Sequence, residues 1–196
     1  MVGNVNRCVR RLWSLAVFPL ILLTGPTWSA AADREASPVG DVVSRIGDLA
    51  LIGESPDAVT IGIGAFDAVK TDPASAEIRA EYRSGRKLLF LGPIVGVMAN
   101  SDGGVFGYGG FYFEFQWTDR VVFTPAAGVA AYHSGDGKPL GGTFQFYLGI
   151  DVAYRFDNNT RLGLKVGHIS NADIHNENDG AESVLLTYTI PFDNPF

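Results

Sequence analysis

His168, Ser170 and Glu182 are the residues of this sequence whose types and spacing best suit chemistry. A serine hydroxyl is a weak nucleophile until a base takes its proton, and an imidazole does that best when a carboxylate fixes its tautomer. His168 and Ser170 stand two apart in Arg161-Leu-Gly-Leu-Lys-Val-Gly-His-Ile-Ser-Asn171, so an extended strand puts them on one face. Counted by twos, that face reads Leu162, Leu164, Val166, His168, Ser170. The last apolar segment carries Val184, Leu186, Tyr188, Ile190 and Phe192 in one register, and one step back from Val184 is Glu182. Paired as antiparallel neighbours, the two segments put a hydroxyl about 7 Å from the imidazole along one strand and a carboxylate about 5 Å across. The chemistry this allows is acyl transfer to serine. Desolvating three polar groups at the end of a greasy face is costly, and no structural role explains gathering them there.

The elements that must hold these residues are strands, because the hydrophobic period is two almost throughout. In Thr143–Phe156 the even positions are Phe144, Phe146, Leu148, Ile150, Val152, Tyr154 and Phe156. The odd ones include Thr143, Gln145, Asp151 and Arg155. Ile78, Ala80 and Tyr82 oppose Glu77, Arg79, Glu81 and Arg83 in the same way. Eight strands are predicted, over about 58–69, 76–84, 87–98, 104–117, 121–133, 143–156, 161–170 and 182–192. Ser84-Gly-Arg86, Trp117-Thr-Asp-Arg120 and Asp157-Asn-Asn-Thr160 read as tight turns. Longer loops near 70–75, 99–103, 134–142 and 171–181 alternate with them. Short turns alternating with long loops between strands of about ten residues are the pattern of an outer-membrane β-barrel. A soluble lipocalin-like barrel is the rival, but it would place the continuous greasy face inside and the charges in water. The predicted fold is therefore all-β: an eight-stranded antiparallel transmembrane barrel over 58–196, with its charges paired in a lumen filled by side chains.

Composition agrees. The 196 residues are 46% hydrophobic and 12% aromatic but only 18% charged, below the roughly 25% of soluble domains. A net charge of -6 argues against a nucleic-acid partner, and a single cysteine excludes a disulfide scaffold or a multi-cysteine metal site. Arg7, Arg10 and Arg11 precede the apolar run Leu12–Leu23, and Ala30 and Ala32 suit cleavage before Asp33. Residues 1–32 thus read as a secretory signal peptide, which would carry Cys8 away. Residues 33–57 read as an N-terminal periplasmic segment, in which Val42, Ile46 and Leu49 suggest one amphipathic turn.

His168-Ile-Ser-Asn-Ala172, Asn178-Asp-Gly-Ala-Glu-Ser183 and the closing Tyr188-Thr-Ile-Pro-Phe192 together resemble the PagL family of lipid A 3-O-deacylases. The resemblance implies an outer-membrane serine esterase. Its substrate would be lipid A, the lipid anchor of lipopolysaccharide, cut at the ester-linked hydroxyacyl chain of the 3 position, with outer-membrane lipids around it. Ser170 would be the nucleophile, His168 the base and then the acid, and Glu182 its orienting partner. Asn171 would contribute its side-chain amide to an oxyanion hole, and the Ala172 N–H is the candidate second donor should position 173 not serve. No cofactor or metal is implied, and the oligomeric state stays open, a dimer included. One departure stands out: Asp173 occupies a position where members of the family often have glycine.

Two other readings compete. One is a non-catalytic barrel serving adhesion or envelope integrity; the other is a phospholipase using the same site. Among weaker signals, Asp173, His175, Glu177 and Asp179 have an oxygen-rich spacing that divalent cations like, although a solvated acidic loop explains it as well. Lys70 and Lys138 are the cations that the predicted long loops place to meet lipid phosphates.

Overall fold

Alternating strands with charges on one face and aliphatic groups on the other satisfy both faces only by closing into a cylinder. The computed structural model describes residues 37–69, 74–175 and 179–193, and among them the chain does this. Its strands are β1 (Val42–Ile46), β2 (Leu49–Ile52), β3 (Asp57–Phe66), β4 (Ser75–Arg83), β5 (Gly92–Asn100) and β6 (Val105–Tyr112). They continue with β7 (Glu114–Trp117), β8 (Val121–His133), β9 (Phe144–Arg155), β10 (Arg161–Ser170) and β11 (Ala181–Phe192). All pairings are antiparallel. The sequence β3-β4-β5-β6-β8-β9-β10-β11 returns to β3 and closes the barrel.

β6 and β7 are one wall strand with a single interruption. The register continues unbroken from Tyr112↔Ala126 to Phe115↔Phe123. Between them Phe113 donates its N–H to Pro125 at 3.1 Å, and Pro125 has no N–H to return. The wall therefore has eight strands, as the period-two pattern predicts. The signal segment predicted over 1–32 lies outside the described residues.

Two boundaries differ from expectation. The third barrel strand begins at Gly92 rather than near 87. The chain first makes a tight turn in which Leu88 and Leu91 bridge each other and Leu89 takes φ +63°. Lys87 is drawn inward there, with Nζ 2.8 Å from Glu114. In place of an amphipathic turn, residues 42–52 form the β1–β2 hairpin, and β2 pairs with β7 (Leu49↔Trp117 to Ile52↔Glu114). β5 starts too late to cover that stretch of β7, so β2 takes the vacant edge and satisfies its backbone. On its other face, Ala50 and Ile52 join Val39 and Val122 in closing the turn end of the lumen.

The lumen is layered. Above the apolar plug, Glu114 bridges Lys87 and Arg161, the latter at 2.5 Å. Glu81 holds Lys165 and Tyr108; Arg83 meets Asp151, Thr60 and Thr189; Arg79 lies against Glu77 at 2.6 Å. Every one of these charges is buried, so the inward assignment drawn from alternation holds. Removing Glu114 strands two buried cations. Glu114→Ala should cost about 3–5 kcal/mol of stability, read as an earlier guanidinium unfolding midpoint of the detergent-refolded barrel; an unchanged midpoint would refute this view of the lumen. Toward the loop end the filling turns apolar and aromatic, with Phe66, Phe106, Tyr132, Leu140, Tyr147, Ile169 and Ala181 in one buried cluster. The outer face is the reverse: Ile63, Val97, Leu148, Leu164 and Leu186 are all exposed around the wall.

Candidate active site on the outer wall

β10 and β11 pair in the register that places His168 opposite Glu182. The imidazole Nδ1 lies 3.2 Å from Glu182 Oε1, and the two side chains are 42% and 28% exposed on the outer face. With Nδ1 on the carboxylate, Nε2 is the ring nitrogen left for another partner. The register runs on to Ile169↔Ala181, so one further step sets Ser170 opposite Gly180. Ser170 takes its place from this register, half-buried on the same face as His168. Their neighbours on β9 are Leu148 and Phe146, both exposed and apolar. All three residues thus face away from the lumen, on a greasy surface at the loop end of the barrel.

Gly180, which the sequence marks only as part of a turn, lies against the His168 ring. It takes φ +57°, and a Cβ built there would lie 2.9 Å from His168 Cε1 and 3.6 Å from Nε2. The ring edge carrying Nε2 therefore leans along the wall toward the Ser170–Gly180 row. The Asp179–Gly180 dipeptide was the available signal, since glycine is favoured where φ is positive. Gly180→Ala should lower kcat about 10- to 100-fold by pushing the ring aside, while the barrel still folds by its heat-dependent gel shift. Wild-type turnover in the folded variant would contradict this placement.

Asn171 corrects an expectation. Its side chain is fully buried, and Nδ2 donates to the Leu140 carbonyl at 2.9 Å. Position 171 continues the inward parity of Lys165, Gly167 and Ile169, so its amide is turned from the face that carries Ser170. Immediately after it the chain makes a turn closed by Ile174 N–H donating to Asn171 O at 3.1 Å. Ala172 and Asp173 take φ +52° and +63°, the mirror-image turn in which both central residues are left-handed. Asp is among the few side-chain-bearing residues that tolerate this region.

The weaker signals resolve differently. Lys138 is clasped by both oxygens of the Asp67 carboxylate at 2.9 Å each. Lys70 and Glu177 lie outside the described residues. Among the described residues no trio of acidic, histidine or cysteine side chains gathers as metal ligands would. The His175 ring packs over Gly142, where a Cβ would lie 2.4 Å from its Cδ2.

Fold and wall together define a class: a small outer-membrane-type barrel with a candidate Ser–His–Glu site on its outer surface. The model of the family described as lipid A 3-O-deacylase (PagL) matches residues 74–191, and the chain belongs to that family. Two relatives, each named lipid A deacylase PagL, come from Bordetella bronchiseptica and Pseudomonas aeruginosa. The first is 35% identical over 82 residues, covering 40% of this chain and 46% of the relative. The second is 36% identical over 85 residues, covering 41% and 49%. The chain thus spans about half the length of these curated relatives. The crystal structure of the outer membrane enzyme PagL superimposes with a TM-score of 0.54 at 24% identity, over 69% of this chain and 99% of that one. A de novo designed transmembrane β-barrel reaches the same TM-score at 15% identity, over 72% of this chain and 99% of the design. These two likenesses bear on the barrel fold.

Proposed function

We propose that this protein is an outer-membrane esterase that removes the ester-linked hydroxyacyl chain at the 3 position of lipid A. The observation that carries this reading is the His168–Glu182 contact on the bilayer-facing wall, with Ser170 one step along the same face. Family membership supports the substrate class.

Ser170 Oγ attacks the ester carbonyl as His168 Nε2 takes its proton, and Glu182 stabilises the imidazolium through Nδ1. The tetrahedral oxyanion needs donors aimed at it. The Asn171 side chain is fully buried and held toward the Leu140 carbonyl, so the donors fall to backbone N–H groups at the head of the turn, Ala172 first among them. The closing hydrogen bond of a turn uses the N–H of its fourth residue and leaves those of the central pair to other acceptors. His168 then returns the proton to the departing sugar oxygen. Water, activated by the same imidazole, releases the acid from Ser170. Leu148, Phe146, Val166 and Val184 surround the site, so the acyl chain can stay in the hydrocarbon layer throughout.

Mass spectrometry of lipid A tests the proposal in cells. Expression of the wild type should remove one hydroxyacyl chain, and Ser170→Ala should leave lipid A intact. Unaltered lipid A beside a folded, inserted wild type would reject the substrate. Fatty acid released from glycerophospholipid vesicles instead would point to a phospholipase.

A further inference from the structure

A site on a lipid-facing wall has no rigid protein packed over it, because fluid acyl chains cannot hold side chains in place. Displacing a reacting group by about 1 Å can cost on the order of 10²-fold in rate. The rigidity must therefore come from inside the barrel. We infer that Lys138 and Leu140, on the β8–β9 connection, are positioning residues for the Ser170–His168–Glu182 array. This inference rests on the esterase reading.

β3 and β8 stand on opposite sides of the cylinder, four strands apart in either direction. Across the mouth Phe66 and Tyr132 approach to 5.9 Å, and the connection after β8 folds in over them. Leu140 is 2% exposed, in the same buried cluster as Ile169 and Ala181. Those two are the inward neighbours of the site: Ile169 lies between His168 and Ser170, and Ala181 precedes Glu182. The Leu140 carbonyl accepts from Asn171, the residue after Ser170, at 2.9 Å.

The second grip is ionic. Lys138 holds Asp67, and the next residue, Ala68, donates its N–H to the Glu182 carbonyl at 3.0 Å. The loop thus takes hold of β10 just beyond the nucleophile and, through Asp67 and Ala68, of β11 at the Glu182 backbone carbonyl. The loop itself is fastened from both flanks. Tyr132 Oη donates to Lys138 O at 2.9 Å, and Gln145 Nε2 donates to Leu140 O at 3.1 Å and Gly142 O at 2.6 Å. The β10–β11 ladder ends at Ile169↔Ala181, and Ser170 lies one residue past it, so this cross-tie steadies the end of the ladder where Ser170 stands relative to Glu182.

The test uses the full chain refolded in detergent, with folding checked by the heat-dependent gel shift. Leu140→Ala removes the apolar prop. The double variant Asp67→Asn/Lys138→Met removes the ionic tie without stranding a charge, and it leaves the core filled should Leu140→Ala fail to fold. Both variants should lower kcat on lipid A about 10- to 100-fold with KM nearly unchanged, and Lys138→Arg should keep most of the activity. The His168 Nδ1–H resonance, which reports the contact with Glu182, should shift or broaden in both. Folded variants with wild-type kcat and an unmoved resonance would overturn the inference. Full activity of Ser170→Ala would instead overturn the esterase reading, and the resonance would still decide whether the loop positions His168.

Discussion

Ser170→Ala should reduce ester hydrolysis by the purified, detergent-refolded barrel by at least about 10³-fold, with its folded gel mobility unchanged. The expectation is this large because the β10 register through Ser170 carries no second hydroxyl: it continues downward as His168, Val166 and Leu164. His168→Ala should be nearly as severe, and adding Ser170→Ala to it should cost little more. Residues that act as one unit do not add. A loss that multiplied across the two variants would mean that they work separately. The measurement is single-turnover and steady-state hydrolysis of lipid A and of a detergent-soluble ester. Activity within tenfold of wild type in folded Ser170→Ala would end the serine mechanism.

Glu182→Gln should lower kcat by about 10²- to 10³-fold with little change in KM. The carboxamide is close in shape but accepts a hydrogen bond poorly on its NH₂ side, and it lends no charge to an imidazolium. Neutralising the carboxylate of a buried triad in this way costs about 10⁴-fold. Glu182 is 28% exposed rather than buried, so solvent and headgroups screen part of the effect. A KM change with intact kcat would recast Glu182 as a substrate contact, and a change below about threefold would remove it from the mechanism.

Most of the fold was legible in the sequence because the lipid and the lumen demand opposite residue types. Phe144 to Phe156 could be assigned to faces by parity alone, and that assignment held residue by residue. The same parity put His168 and Glu182 on one outer face, where they touch. What stayed hidden depended on contacts distant in the chain. β5 begins late because Lys87 is drawn to Glu114 and the chain turns at Leu89, which no local pattern announces. The β1–β2 hairpin forms because β7 has a vacant edge, a fact about pairing rather than about residues 42–52. Asn171 was expected on the oxyanion, but it continues the inward parity and meets a carbonyl 31 positions back in the chain. Gly180 was visible only as a turn residue, since its closeness to the imidazole appears only once β10 and β11 are paired.

The central claim is that a nucleophilic serine is served by an imidazole on the surface that faces lipid. A long-chain alkyl fluorophosphonate, which partitions into bilayers and is attacked by activated serines alone, addresses it directly. With the protein reconstituted in vesicles, peptide mass analysis should find one adduct, on Ser170, that is lost in His168→Ala. A short, charged phosphonate confined to water should react far more slowly. An unmodified Ser170 in active protein, or an adduct on another serine, would contradict the account.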